Sequence, residues 1–200
     1  MFRFILPLTL SYFLGSLPTA YLVGKKVKGL DIRKHGSGNV GATNVFRVVG
    51  KGWGIAVLFL DAFKGALAVS LVPRLFSDNF FLLPLLCGIA AILGHTWNLW
   101  LGCKGGKGVA TSAGVFFALA PKAAAAALVV WVLVFTWKRY VSLASIVTAA
   151  VFPVWVFLFY RKEEKFLFLF PISLLLFVFI LCTHQGNIKR LREGAEKRLL

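Results

Sequence analysis

Seven runs of hydrophobic residues, separated by short polar segments, make up most of the sequence. A membrane-spanning helix needs about 20 residues, and five of the runs have or approach this length. The fourth and fifth runs are shorter and are separated by Pro121 and Lys122. We interpret them as two short helices, one of which could be a partial span supported by protein. The runs cover residues 4–24, 53–73, 80–101, 109–120, 122–137, 140–160 and 166–183.

The composition supports this interpretation. Of the 200 residues, 59% are hydrophobic and 15% are charged, and the mean hydropathy is +0.82. These values are typical of an integral membrane protein. We therefore predict an all-α polytopic membrane protein with about seven transmembrane helices, in which residues 1–200 form a single integral membrane domain.

The distribution of Lys and Arg predicts the orientation of the chain, whose formal net charge is +16. With seven spans and the N-terminus outside, 16 of the 23 Lys and Arg residues fall in inner segments and six in outer ones. This contrast follows the positive-inside rule and predicts a cytoplasmic C-terminus. Nucleic-acid-binding proteins are also basic, but they are not built of apolar 20-residue runs. We expect an anionic substrate and no nucleic-acid partner.

Four segments rich in glycine and polar residues fall on the predicted inner side, and the outer loops contain nothing comparable. Because they gather on one face of the membrane, we expect them to build one site. The segments are HGSGNVGATNVFR (35–47), KGGKGVATS (104–112), KRYVSLAS (138–145) and THQGNIKRLREGAE (183–196).

The stretch GCKGGKGVATSAG, residues 102–114, places two lysines among five glycines. Successive backbone N–H groups in a glycine-rich turn, followed by a helix N-terminus, can bind an anion. Lys104 and Lys107 would neutralise its charge, and the Thr111 hydroxyl would donate a hydrogen bond. The stretch is not a nucleotide-binding P-loop, because Gly108 rather than Ser or Thr follows Lys107. We predict a phosphate site; the alternative is a flexible loop whose lysines face anionic lipid.

Two other segments add groups that suit phosphate recognition. Asn44 and Arg47 are three residues apart, as are His184 and Asn187, so each pair shares a face if its segment is helical. An arginine can bind phosphate through two hydrogen bonds. A histidine can act as a base or as a hydrogen-bond donor.

A charged pair lies inside the second hydrophobic run. Asp61 and Lys64 are one helical turn apart, and Asp61 lies roughly 12 Å from the start of the run at 1.5 Å per residue. Charged side chains at this depth usually face the interior of a helix bundle or a cavity. We interpret the two residues as either a self-satisfied structural pair or part of the wall of the site, and His95 as a structural hydrogen-bond donor.

The sequence lacks the residue patterns that several classes of reaction require. The inner segments have no cluster of aspartates for two magnesium ions. No His is followed five residues later by the Asp that soluble lipid acyltransferases use, and no Ser lies in a G-x-S-x-G turn. Cys87, Cys103 and Cys182 form neither a disulfide framework nor a metal-binding pattern, although Cys103 could be a reactive thiol. We expect no metal and no cofactor, and an acyl transfer here would need an already activated donor.

The polar motifs resemble those of the bacterial membrane glycerol-3-phosphate acyltransferases that use acyl-phosphate as donor. The similar segments cover nearly the whole chain in the same order. They are SGNVGATNVFR (37–47) for the signature S-G-N-x-G-A-T-N-x-x-R, DAFKG (61–65) for D-x-x-K-G, GGKGVAT (105–111) for the phosphate loop, and RYVSLAS (139–145) and HQGNIKRLREGAE (184–196) for two later patterns.

The resemblance implies transfer of the acyl group of a fatty acyl-phosphate to the 1-hydroxyl of glycerol-3-phosphate, which yields lysophosphatidic acid and phosphate. The reaction would occur at the cytoplasmic side of a bacterial inner membrane, with glycerol-3-phosphate, fatty acyl-phosphate and membrane lipid as partners. The implied catalytic residues are Lys104, His184, Asn187, Arg47 and Ser142. The implied substrate-binding residues are Ser37, Asn39, Thr43, Asn44, Gly105, Gly106, Lys107, Gly108, Val109, Ala110 and Thr111. We expect residues 104–111 to hold the phosphate of the donor, and Lys104, Arg47, Asn44, His184 and Asn187 to bind glycerol-3-phosphate.

The sequence leaves two alternatives open. The proton of the acceptor hydroxyl could pass to His184 or to a substrate phosphate oxygen, whose second pKa is about 6. We favour the phosphate, with His184 donating a hydrogen bond to glycerol-3-phosphate. The alternative function is a transporter or flippase for an organic phosphate, which the short helices and the intramembrane charge pair would suit, although no internal repeat is evident.

Overall fold

A computed structural model of the chain describes residues 2–76 and 82–199. These residues form eleven α-helices and two short 3-10 turns, and no strand occurs among them. The helices are α1 Phe2–Gly15, α2 Thr19–Lys28, α3 Ala42–Val48, α4 Lys51–Ser70, α5 Val72–Leu75, α6 Leu83–Thr96, α7 Val109–Leu119, α8 Pro121–Lys138, α9 Val141–Tyr160, α10 Phe166–Thr183 and α11 Gln185–Arg192.

The predicted all-α membrane fold is confirmed. Six segments of the described chain are long and apolar enough to cross a membrane, and α7 is a shorter apolar helix. Residues 80 and 81, at the start of the third predicted run, lie outside the described residues. The number of helices that cross the membrane and the outer position of the N-terminus stay predictions. The six segments are Phe4–Lys28, Lys51–Leu75, Leu83–Leu101, Pro121–Lys138, Val141–Tyr160 and Phe166–Thr183.

Prolines set two of the helix boundaries. The first hydrophobic run is divided between α1 and α2, a break that the hydrophobic pattern does not show. It occurs because Pro18 has no backbone N–H and disfavours a helical conformation at the preceding residue. The predicted division of the fourth and fifth runs is confirmed. There Pro121 is the first residue of α8, a position that tolerates proline.

The contacts within the chain form two compact units, Met1–Leu119 and Ala120–Leu200. The first unit contains α1 to α7, and the second contains α8 to α11. That residues 1–200 make a single integral membrane domain stays a prediction.

In the first unit, helices meet backbone to backbone at glycines. A Cβ at Gly114 of α7 would overlap the carbonyl oxygen of Ala62 in α4, and a Cβ at Gly15 of α1 would overlap that of Ala91 in α6. Small residues allow such approach in a membrane, where apolar side chains gain little by leaving lipid and close packing stabilises the helix pairs. The two contacts fix α7 against α4 and α1 against α6.

In the second unit, α9 packs against both α8 and α10. The indole N–H of Trp131 in α8 donates to the hydroxyl of Ser145 in α9 at 3.2 Å. The backbone N–H of Lys122 donates to the hydroxyl of Tyr160, also at 3.2 Å. These bonds hold α8 along α9, whose first turn carries Ser142.

We expect Gly114→Ala to destabilise the protein, because the added methyl group would push α7 away from α4. Overpacking of this kind costs about 1–3 kcal/mol. The matched control is Gly52→Ala at the exposed start of α4, where an added Cβ meets nothing within 4 Å. The higher helix propensity of alanine should leave that variant unchanged or slightly more stable. Thermal unfolding in detergent measures both, and a Gly114→Ala protein as stable as wild type would contradict this packing.

Candidate functional site

The polar loop between α2 and α3 is built around the side chain of Asn44, which is fully buried. Its Oδ1 accepts the backbone N–H of Ser37 at 2.9 Å. Its Nδ2 lies within donating distance of the carbonyl oxygens of Ile32 (3.1 Å), His35 (3.0 Å) and Asn39 (3.0 Å). An amide has only two N–H groups and one oxygen, and here all of them face backbone groups of the loop. Asn44 therefore orders this loop from its interior. That Asn44 binds substrate stays a prediction, because its polar atoms here serve the loop backbone.

The other predicted residues of this segment are closer to its surface. Ser37 is exposed, and Asn39, Thr43 and Arg47 are partly buried. Arg47 lies in the last turn of α3, one helical turn after Asn44, so this segment is helical, as a shared face for the two residues requires. The loop is thus held by one buried amide while its remaining polar side chains stay near the surface.

The glycine-rich loop between α6 and α7 uses two of its N–H groups inside the protein. The Gly105 N–H donates to the Thr96 carbonyl oxygen at 2.9 Å, and the Gly106 N–H donates to that of His95 at 3.1 Å. A Cβ at either glycine would overlap His95, so only glycine permits this approach. The predicted nest of anion-binding N–H groups therefore does not hold for Gly105 and Gly106, because the end of α6 takes both donors. Any other contact of these glycines with substrate stays a prediction.

The N-terminus of α7 offers a different set of donors. Ser112 is the first residue whose N–H bonds back into the helix, to the Gly108 carbonyl oxygen at 2.8 Å. The N–H groups of Val109, Ala110 and Thr111 precede this bond and have no intrahelical acceptor. The Thr111 hydroxyl is fully buried and has no hydrogen-bond partner among the described residues. Gly108, with a φ of +80°, turns the chain into this helix.

Two lysines precede the same helix. Lys104 is exposed, and Lys107, directly before Gly108, is partly buried. Their charges add to the positive end of the helix dipole, a combination that attracts phosphate and carboxylate groups. Within residues 2–76 and 82–199, no group of three or more His, Cys, Asp or Glu side chains could hold a metal ion.

The second unit has a polar centre at Glu196. Its Oε1 accepts from the Ser142 hydroxyl at 2.7 Å and from Asn187 Nδ2 at 2.5 Å, and its Oε2 accepts from Arg190 Nε at 2.8 Å. Burial acts to raise the pKa of Glu196, but the three hydrogen bonds and the Arg190 charge outweigh it, so the pKa lies below its usual value. The sequence-based prediction gave Glu196 no role. The signal that could have shown it was a carboxylate in a basic tail, nine residues after Asn187.

His184 lies at the junction of α10 and α11 and is buried, with 3% of its surface exposed. Its Nδ1 is 2.9 Å from the Ile180 carbonyl oxygen. Since a carbonyl oxygen can only accept, Nδ1 carries the proton of this bond. His184 thus belongs to the second unit, as Ser142 and Asn187 do, whereas the other predicted residues belong to the first.

The geometry supports the structural interpretation of the charged pair in α4. Asp61 and Lys64 are 1% and 3% exposed, and Lys64 Nζ lies 2.8 Å from Asp61 Oδ1. Thr19 donates to the same oxygen at 2.6 Å, and Lys64 also donates to the Leu17 carbonyl oxygen at 3.0 Å. Each charge therefore has an opposite charge and a further hydrogen bond inside the protein. His95 Nδ1 lies 3.7 Å from Asp61 Oδ1.

The chain is similar to known proteins over almost its whole length. A family model described as glycerol-3-phosphate acyltransferase matches residues 5–194. The glycerol-3-phosphate acyltransferase 2 of Moorella thermoacetica is 45% identical over 195 residues, which are 98% of this chain and 97% of that protein. The glycerol-3-phosphate acyltransferase of Desulforudis audaxviator is 46% identical over 194 residues, which are 97% of this chain and 94% of that protein.

Two solved structures are similar as well. They are crystal structures of PlsY (YgiH), an integral membrane glycerol 3-phosphate acyltransferase, in a glycerol 3-phosphate form and a lysophosphatidic acid form. Both are 38% identical to this chain and match 98% of it and 94% of the PlsY chain. The TM-scores are 0.85 and 0.83, so the fold is shared.

We expect Asn44→Asp to loosen the loop between α2 and α3. The new carboxylate keeps an acceptor for the Ser37 N–H but places a second oxygen against carbonyl oxygens, and leaving buried groups unpaired costs about 1–3 kcal/mol. Ser37→Ala is the control, since only its backbone N–H meets Asn44. Hydrogen exchange of residues 35–41 should accelerate in Asn44→Asp alone. Equal exchange in the two variants would show that Asn44 does not hold the loop.

The stability that Glu196 contributes should be lost in acid. Because its pKa is lowered on folding, the contribution is complete above the unfolded value of about 4.5 and decreases as the pH falls through the lower folded value. We expect the unfolding temperature of wild type to approach that of Glu196→Gln as the pH is lowered from 7 to below 4. A constant difference between the two proteins over this range would contradict the role of the carboxylate.

Proposed function

The chain belongs to the glycerol-3-phosphate acyltransferase family, and we propose that this acyltransferase uses a fatty acyl-phosphate as its donor. It transfers the acyl group to glycerol-3-phosphate and forms lysophosphatidic acid. The observation that carries the function is the family match over residues 5–194, together with relatives that align over nearly their full length. The donor assignment rests on the motif resemblance and on an anion site with two lysines.

We assign the phosphate of the donor to the N-terminus of α7. The N–H groups of residues 109–111, the buried hydroxyl of Thr111 and the charge of Lys107 would bind its oxygens. This grouping excludes Gly105 and Gly106 as backbone donors, since their N–H groups are bonded to the end of α6. Their part is to let the loop pack there.

For glycerol-3-phosphate we keep the residues that the motifs predict. In the first unit, Lys104 and Arg47 supply positive charge for its phosphate, with Ser37, Asn39 and Thr43 as further polar candidates. The motifs also predict His184 and Asn187 as hydrogen-bonding candidates, and within the second unit Ser142 and Asn187 both donate to the Glu196 carboxylate. The bond that Asn187 Nδ2 donates to Glu196 fixes the orientation of the amide.

The chemistry needs no acyl-enzyme, because an acyl-phosphate is a mixed anhydride with a good leaving group. The 1-hydroxyl oxygen attacks the acyl carbon, the bond from that carbon to the bridging phosphate oxygen breaks, and phosphate leaves with the electron pair. Cations and N–H groups that hold the leaving phosphate stabilise the charge it gains. The enzyme then contributes position and electrostatics rather than a nucleophile.

The proton of the hydroxyl passes to a phosphate oxygen in this proposal. The sequence predicts that His184 is a donor to glycerol-3-phosphate, and its Nδ1 already donates to the Ile180 carbonyl oxygen, so a bond to the substrate would involve Nε2. His184 would then orient glycerol-3-phosphate, and a phosphate oxygen of a substrate would take the proton.

The membrane setting follows the same proposal. The chain is a multi-pass membrane protein. We place it in a bacterial inner membrane with the reaction on the cytoplasmic side, because the predicted inner segments carry most of the Lys and Arg residues. Membrane lipid would surround the tail of the donor and receive the product. The short helix α7 and the charge pair in α4 would also suit a transporter, and the family match favours the acyltransferase over that alternative.

The decisive assay supplies purified protein and glycerol-3-phosphate with acyl-phosphate, acyl-CoA or acyl carrier protein in turn. Of the three donors, we expect only acyl-phosphate to yield lysophosphatidic acid, together with an equimolar amount of phosphate. Lys107→Met should lose donor saturation, because one cation of the phosphate site is gone, whereas Lys122→Met, at the exposed start of α8, should match wild type. Turnover with acyl-CoA but not acyl-phosphate would overturn the donor, and normal donor saturation in Lys107→Met would overturn the site.

A further inference from the structure

A single residue, His95, lies between a buried ion pair and the glycine-rich loop. Asp61 and Lys64 are nearly inaccessible, and they bond to each other, to the Thr19 hydroxyl and to the Leu17 carbonyl oxygen. Burial of two charges costs more than an apolar pair of similar size would, even when they are well paired. Stability alone therefore gives little reason for charges at these positions.

His95 connects this pair to the loop. Its ring is 7% exposed, and Nδ1 lies 3.7 Å from Asp61 Oδ1, which is too long for a hydrogen bond but close enough for the carboxylate to attract a proton on that nitrogen. The other side of the ring lies under Gly106, since a Cβ there would overlap Nε2. The backbone of His95 also accepts the Gly106 N–H. One residue thus contacts Gly106 through both its ring and its carbonyl oxygen.

Helix α4, which carries the ion pair, also contacts the chain at the end of the loop. Gly65, one turn after Asp61 in α4, approaches the Thr111 carbonyl oxygen so closely that a Cβ would overlap it. Asp61 acts on the loop through His95 at Gly106, and Gly65 acts directly at the first turn of α7. The residues between these two supports are Lys107 to Ala110, which the proposed function assigns to the phosphate of the donor.

We propose that His95, oriented by the Asp61–Lys64 pair, is a positioning residue that sets the phosphate affinity of the loop before α7. The Asp61 carboxylate orients the ring by electrostatic attraction across 3.7 Å. The ring and the carbonyl oxygen of His95 contact Gly106, which determines where Lys107 and the N-terminus of α7 lie. His95 does not touch the substrate in this role. The inference rests on the proposed function, because it takes this loop as the phosphate site.

The test compares His95→Leu, His95→Asn and the double variant Asp61→Asn/Lys64→Met. The leucine removes both ring nitrogens. The asparagine keeps an N–H near the position of Nδ1, facing Asp61. The double variant removes the charges together and so avoids leaving one of them buried alone. Val69→Ala, two turns further along α4 at a buried position, controls for a general loss of stability.

Two measurements are made on each purified protein: the affinity for inorganic phosphate, from the shift of the unfolding temperature, and the KM for each substrate. We expect His95→Leu and the double variant to bind phosphate about tenfold more weakly and to raise the donor KM about tenfold, with the acceptor KM within about twofold of wild type. His95→Asn should recover part of the phosphate affinity, and Val69→Ala should lose stability but keep both KM values.

Either of two results would overturn the inference: wild-type phosphate affinity and donor KM in folded His95→Leu, or equal changes in both KM values that Val69→Ala reproduces. Lys107→Met separates this failure from that of the proposed function. If Lys107→Met weakens phosphate binding while the His95 variants do not, only the positioning role is wrong. If Lys107→Met also leaves phosphate binding unchanged, the loop is not the phosphate site and both proposals fail.

Discussion

In a chain this apolar, every buried polar group must find its partner inside the protein, because lipid offers none. In the first unit a few residues pair several such groups, and five buried side-chain atoms, the Thr111 hydroxyl among them, have no hydrogen-bond partner within the described residues. The Asn44 amide lies within hydrogen-bonding distance of four backbone groups of one loop, the end of α6 accepts two N–H groups of the other, and Asp61 and Lys64 form an ion pair. Loops that would be mobile in water are thereby tied to particular helices.

The same requirement determines which groups are left for a substrate. Once the N–H groups of Gly105 and Gly106 are bonded to α6, the donors that remain are those at the start of α7, beside the buried Thr111 hydroxyl. A phosphate with three acceptor oxygens suits such a set, and Lys107 supplies the compensating charge. In the second unit, the Glu196 carboxylate fixes Ser142 and Asn187, so preorganised polar side chains arise there by the same means.

Much of the fold could be predicted from the sequence, because span length and hydropathy reflect the thickness of the membrane and Pro121 marks a helix start. The break before Pro18 was missed, since α1 and α2 together form one apolar run. The motifs located the polar segments, but the partners within them depend on tertiary contacts. From the sequence, Asn44 beside Arg47 is predicted to bind substrate, and only the folded loop shows that its amide contacts the loop backbone. Nothing near Ser142 in the sequence indicates its contact with a carboxylate 54 residues later.

The most direct test of this account is a structure of the protein bound to an acyl-phosphonate, which mimics the donor but cannot release phosphate. We expect the phosphonate oxygens to lie within hydrogen-bonding distance of the N–H groups of residues 109–111, the Thr111 hydroxyl and Lys107 Nζ, with Gly105 and Gly106 still bonded to α6. A phosphonate bound away from the N-terminus of α7, or held by the N–H groups of Gly105 and Gly106 after their release from α6, would contradict it.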